Sequence, residues 1–193
     1  MCFFQPVYEQ CSDEALMKLV AEHDERGFDE LYRRYADRML HYFWRTLNRD
    51  EEKAQDFLQE LFTKIVEKPY LFQTDKRFST WIYSVASNMV KNEYRSREVR
   101  KIMTNMDDMS YLQVVENPDE NSIDRRLFAL QLENELENLS DNHRDVFVLR
   151  YQEDLSIREI SEVMGCSEGT IKSRLFYSLR KLANGLKTFD PGK

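Results

Sequence analysis

The sequence predicts an all-α protein: two small helical domains joined by a flexible acidic linker, the C-terminal one a helix-turn-helix. Three observations carry this. Glycine and proline are scarce, 5 and 4 of 193 residues, which favours long helices over turn-rich β architecture. Apolar residues recur at three- and four-residue spacing through most of the chain,. That rhythm lapses over 100–125, "RKIMTNMDDMSYLQVVENPDENSIDR", where carboxylates crowd around Pro118; such composition cannot bury a core and reads as an extended or disordered linker.

In order along the chain, residues 1–11 read as a disordered tail. Ser12 is positioned to cap a first helix over 12–26, with Leu16, Leu19 and Val20 on one face,. Gly27 reads as an interruption, after which Phe28, Leu31, Tyr35, Met39, Tyr42 and Phe43 mark a second helix to about 47. Ala54, Phe57, Leu58, Leu61, Phe62, Ile65 and Val66 form a stripe over 51–67, closed by Pro69,. "YLFQTDKRF" is a loop. Ser79 or Thr80 is the expected cap of a fourth helix to about 97, with Trp81, Ile82, Val85, Ala86, Met89 and Val90 inward. These helices make a first domain over 12–98, followed by a linker at 99–125. A second domain, 126–187, holds helices at 124–138, at 140–151 behind Ser140, and at 156–164. Ser156 with Glu159 is a capping box, Gly165 suits the position after a helix, and Ser167 caps the last helix to about 186,. There Ile171, Leu175, Leu179 and Leu182 are expected to face inward. Residues 188–193 are a tail.

Charge is unevenly spread. The net is −7 overall, but −6 over 1–75, +5 over 76–101, −7 over 102–139 and +1 over 140–193. Two basic islands are separated by acid, a pattern suited to local contacts with nucleic acid. No apolar run reaches the roughly 20 residues needed to span a bilayer, and the N-terminus lacks the pattern of a signal peptide,. Cys2, Cys11 and Cys166 form no CxxC pair and read as reduced thiols in a cytoplasm. His23, His41 and His143 are scattered, and no phosphate-binding or nucleophile motif occurs,. No catalytic residue, metal site or cofactor is expected.

Three surfaces remain. In 168–187, net +4, the outward face carries Lys172, Ser173, Phe176, Tyr177 and Arg180, flanked by Thr170 and Arg174. A helix of this kind enters a major groove, cations on phosphates and Phe176 on thymine methyls; an ordinary two-helix packing unit has the same pattern. Ser84, Asn88, Lys91 and Arg95 line a second helix behind Lys76, Arg77 and Trp81, suiting single-stranded or distorted nucleic acid or a solvated face. Asp56, Gln59, Glu60 and Thr63 form a polar stripe beside an apolar one, read either as a docking surface or as a plain amphipathic helix.

"QDFLQELF", "FSTWIYSVASN" and "SEGTIKSRL" occur in this order and with a short linker before the last. Together they resemble the extracytoplasmic-function sigma factors of bacterial RNA polymerase. The resemblance implies a non-enzymatic specificity subunit that binds core RNA polymerase, at the clamp helices and flap of its two large subunits, and promoter DNA. It implies polymerase contact at Asp56, Gln59, Glu60, Phe62 and Thr63; recognition and opening of the -10 element by Phe72, Gln73, Asp75, Trp81, Asn88, Lys91, Asn92 and Arg95; and -35 recognition by Thr170, Lys172, Ser173, Arg174, Phe176, Tyr177 and Arg180. Tyr177 stands where many members carry a basic residue. An anti-sigma factor is the implied regulatory partner, and the acidic linker would follow the RNA exit path. A ligand-sensing helix-turn-helix regulator and a two-domain adaptor are the competing readings.

Overall fold

The computed structural model describes residues 7–103 and 120–187, with side chains over 7–99 and 127–187. The helices are α1 (Asp13–Ala21), α2 (Glu25–Thr46), α3 (Glu51–Glu67), α4 (Phe78–Met103), α5 (Glu120–Glu137), α6 (Asp141–Tyr151), α7 (Ile157–Met164) and α8 (Glu168–Gly185). Short 3₁₀ turns sit at Tyr8–Gln10 and Pro69–Leu71.

Local chemistry explains most boundaries. Ser12, Asp24 and Asp50 each accept a backbone N–H three residues on, at 3.2, 2.9 and 3.0 Å, satisfying donors that a helix N-terminus leaves free. The expected break at Gly27 lies instead at Glu22–Asp24, where His23 takes a left-handed φ of 65°. Gly27 belongs to the first turn of α2, and a Cβ there would stand 2.9 Å from that of Leu19, so glycine serves close helix approach. Neither Ser79 nor Thr80 caps α4. The helix begins one residue earlier, and the Phe78 N–H donates to the Glu14 carboxylate of α1 at 3.0 Å. Ser140 makes no cap bond to backbone; its hydroxyl pairs with His143 Nδ1 at 2.6 Å.

The expected N-terminal tail is docked over 7–11. Arg34 donates to the Tyr8, Glu9 and Cys11 carbonyls and pairs with Asp13, while the Tyr8 hydroxyl donates to Asp24. The linker expected over 99–125 is shorter, because α4 continues to Met103 and α5 opens at Glu120; 104–119 lies outside the described residues, as do 1–6 and 188–193.

In the N-terminal module α1 and α3 pack on α2, and α4 lies across α1, α2 and α3. Leu16, Leu31, Met39, Phe43, Leu61 and Ile82 are wholly buried, each stabilising by about 1.5–3 kcal/mol. In the C-terminal module α6, α7 and α8 pack together, and Leu136, Leu139, Phe147 and Leu182 hold α5 on. The modules touch: α4 packs on α7 and α2 on α6, with buried apolar residues continuous through both.

Candidate nucleic-acid interface

The C-terminal site is set by its turn. Ser156 and Glu159 make the full capping box of α7, Gly165 adopts a left-handed φ of 65°, and the Ser167 hydroxyl accepts from the Thr170 N–H at 3.2 Å. The Ser161 hydroxyl donates to the Cys166 carbonyl at 2.7 Å. These contacts fix the angle between the two helices. Behind α8 the buried positions are Ile171, Leu175, Ser178 and Leu182. This corrects the expected stripe: Leu179 is 42 % exposed and Ser178 fully buried. Ser178 is tolerated there because its hydroxyl reaches the His143 and Arg174 carbonyls, at 3.0 and 2.8 Å,.

In front, Lys172, Ser173, Phe176, Tyr177 and Arg180 are exposed, and Thr170 is half-buried at the helix start. Phe176 and Tyr177 meet edge to face at 5.6 Å. Both rings stand in water with no core behind them, an arrangement that exposed apolar groups favour when a partner covers them. Arg174 is half-buried, its guanidinium 3.9 Å from Cys166 Sγ.

The second face belongs to α4. Asn88, Asn92 and Arg95 are exposed, Ser84 and Lys91 half-buried. Burial beneath α7 lowers the Lys91 pKa, and Arg174 adds to the effect,. Gln73 and Asp75 are exposed on the loop before α4. Phe72 is only 6 % exposed. Its ring meets Phe78 and Trp81 at 5.6 and 5.3 Å, so it anchors the loop from beneath, and Trp81 is the half-exposed ring.

On α3, Asp56, Gln59, Glu60 and Thr63 are exposed, but Phe62 is 4 % exposed. Phe62 floors a groove of about 710 Å³ between α2 and α3, under Phe28, Tyr32, Leu58 and Val66. Gln59 and Thr63 border it. Tyr32 was not legible as part of this site. It lies off the inward stripe of α2, and only a partner groove makes an exposed tyrosine there informative. Tyr83 and Glu153, both buried, carry no local sequence signal, since they meet across 70 residues of sequence.

With this geometry in place, the chain matches Sigma-70 region 2 over residues 31–100 and Sigma-70, region 4 over 129–182. It is 30% identical over 186 residues to the RNA polymerase sigma-H factor of Pseudomonas aeruginosa, covering 92% of this chain and 95% of the relative. The chain belongs to the extracytoplasmic-function sigma factors. It is 27% identical over 187 residues to the ECF RNA polymerase sigma-E factor of Haemophilus influenzae, covering 93% and 97% of the two chains. In fold this sigma factor is similar to CnrH, solved with the cytosolic domain of CnrY: TM-score 0.68, 21% identity, covering 92% of this chain and 99% of that one. It is also similar to RpoE of Bartonella quintana, solved with the anti-sigma factor NepR: TM-score 0.67, 19% identity, covering 83% and 96%. The sigma factor directs transcription initiation through RNA polymerase and promoter binding, as a non-enzymatic subunit. Among the described residues no helix is long and apolar enough to cross a membrane.

Proposed function

We propose that the three surfaces divide the work of initiation. The exposed face of α8 reads the -35 element: Lys172, Ser173, Phe176 and Tyr177 meet base edges and phosphates, with Thr170, Arg174 and Arg180 on the backbone. The loop before α4, with Trp81, Asn88, Lys91, Asn92 and Arg95, reads and opens the -10 element, Gln73 and Asp75 meeting an extruded base and Phe72 supporting the loop. Extrusion costs a few kcal/mol, offset by capture. The α2–α3 groove with Asp56, Gln59, Glu60 and Thr63 takes the clamp helices of core polymerase, and the C-terminal module takes the flap. The acidic stretch between Met103 and Glu120 follows the RNA exit path, where carboxylates imitate a transcript. The protein works in the cytoplasm, restrained by an anti-sigma factor; the two fold relatives solved with a protein partner support that regulator.

The observation that carries this reading is the two-sidedness of α8: one face buried by α5, α6 and α7, the other presenting cations beside unsupported aromatic rings. Run-off transcription with core polymerase tests it, on a template carrying the promoter of the protein's own gene. Transcripts are expected only when the protein is added. Lys172→Ala with Phe176→Ala is expected to lower them by about 10–100-fold, the loss of one or two base contacts at about 1–3 kcal/mol each. Full activity of that double variant refutes the assignment of α8.

A further inference from the structure

Residues 7–11 are pinned to the N-terminal module by side chains of α2. The Arg34 guanidinium donates to the Tyr8, Glu9 and Cys11 carbonyls at 3.2, 3.0 and 2.9 Å, and to Asp13 at 2.7 Å. Glu30 steadies that guanidinium, accepting from Arg34 Nε at 2.7 Å. The Tyr8 hydroxyl donates to Asp24, the cap of α2, at 3.0 Å, and Cys11 Sγ donates to the Val7 carbonyl at 3.6 Å. Bonds to ionised groups are the strong ones, so the point where the chain joins the module is fixed. There Val7 shares a cleft with Arg26, Asp29, Glu30 and Arg33, on the first two turns of α2.

Residues 1–6, "MCFFQP", precede that point. They carry no charged side chain, and Phe3 and Phe4 are adjacent. The cleft at Val7 does not suit two apolar rings, since its α2 wall is charged. The next face of α2 does. Phe28 and Tyr32, the chain neighbours of Asp29 and Arg33, line the α2–α3 groove with Leu58, Phe62 and Val66. Chain neighbours stand about 100° apart, roughly 10 Å round a helix of about 10–12 Å diameter. Phe4 and Phe3 lie three and four residues before Val7, an extended reach of about 10 and 14 Å. The groove measures about 710 Å³, and Tyr32 and Val66 at its rim are each 44 % exposed. An apolar cleft left to water favours an apolar group held nearby. A tether this short presents both rings at an effective concentration on the order of millimolar.

We infer that in the free chain residues 1–6 lie in the α2–α3 groove, with Phe3 and Phe4 against Phe62 and Tyr32, and that core polymerase must displace them. The masking rests on the assignment of this groove to the clamp helices; the docking does not. Polymerase affinity is then lowered to the fraction of chains whose groove is vacant. An arm docked in about four chains of five weakens binding about fivefold.

A nitroxide on Cys2 of the full chain tests the docking. Cys11→Ser and Cys166→Ser leave Cys2 as the sole thiol. The label is expected to broaden the amide resonances of residues 58–66, and Phe3→Ser with Phe4→Ser to remove most of that broadening. Mere proximity survives the two serines, because the tether is unchanged. No broadening on α3, or broadening that the serines leave in place, therefore overturns the docking. Titration with core polymerase tests the masking. The Phe3/Phe4 variant is expected to bind about fivefold more tightly. Asp56→Ala with Glu60→Ala, on the exposed stripe of α3 outside the groove lining, is expected to weaken binding. If it does and the Phe3/Phe4 variant gains nothing, the masking is overturned. If the Asp56/Glu60 variant binds normally, the clamp-helix assignment falls, while the broadening result stands.

Discussion

Among the described residues, the buried Asp145 carboxyl takes its hydrogen bond from a donor that it shares. The single Tyr94 hydroxyl proton lies between two acceptors, the Thr46 carbonyl at 2.7 Å and Asp145 Oδ1 at 3.3 Å. Burial, with Asp141 adding to it, pushes the Asp145 pKa up to about 7 against the pull of Arg144, Tyr94 and Lys91,. A protonated Asp145 ends that sharing by donating a proton itself. A carboxyl whose folded pKa is raised favours the folded state most below its unfolded value near 4, and that contribution is lost as pH rises through 7. Asp145→Asn is therefore expected to raise thermal stability at pH 8, by about 1 kcal/mol or more and roughly 2–4 °C in Tm. Melts at pH 5.5 should show a smaller difference; an equal or larger one contradicts the assignment. At Gly27 steric crowding opposes helix propensity. Alanine gains up to about 1 kcal/mol as a helix former but drives a Cβ to 2.9 Å from that of Leu19, and overpacking costs typically 1–3 kcal/mol. Gly27→Ala should lower Tm. Neither site was legible from spacing. Arg144 through Leu149 are all buried, since α6 is covered by α2 on one side and α8 on the other. A helix buried on two sides shows no polar stripe to separate its charged residues from solvent.

Among the elements, what local chemistry determines was legible and what distant contacts determine was not. The capping box of α7, the left-handed Gly165 and the Ser167 cap can be read from a few adjacent residues, and all are present. The start of α4 is different. Its cap is the Glu14 carboxylate, 64 residues earlier in the chain, and no local pattern announces it. The Phe78 N–H holds the Glu14 pKa below the usual carboxylate range, so the cap strengthens the fold above pH about 4.3 and is lost as pH falls. Glu14→Ala is expected to cost about 0.5–2 kcal/mol, with hydrogen exchange accelerated at Phe78 and the residues after it. Unchanged exchange there denies Glu14 a capping role. In α8, placing Leu179 inward misjudged one step of the stripe, because a serine with two carbonyl partners is hard to foresee at a core position.

For the whole molecule, the net charge of −7 opposes DNA even while α8 presents cations. Long-range repulsion opposes association, so the free chain is expected to show no promoter-specific shift of a duplex at physiological salt, and core polymerase is expected to confer one. Tight promoter binding by the free protein in a mobility-shift assay overturns this expectation. The two-domain plan was legible because the helical rhythm stops and restarts. That the domains meet was not, since Arg45 and Tyr83 sit in unremarkable contexts and each reaches the Glu153 carboxylate only across 70 or more residues of sequence.

The loop before α4 is clamped at both ends by contacts outside itself: the Phe72 ring is buried against Phe78 and Trp81, and the Phe78 amide rests on Glu14. Residues 73–77 between these clamps are exposed and carry none of the core. The segment therefore behaves as a cassette. Its composition and length can drift without refolding the helices; under the proposed assignment of this loop to the -10 element, promoter preference would diversify under far weaker constraint than the scaffold that presents it.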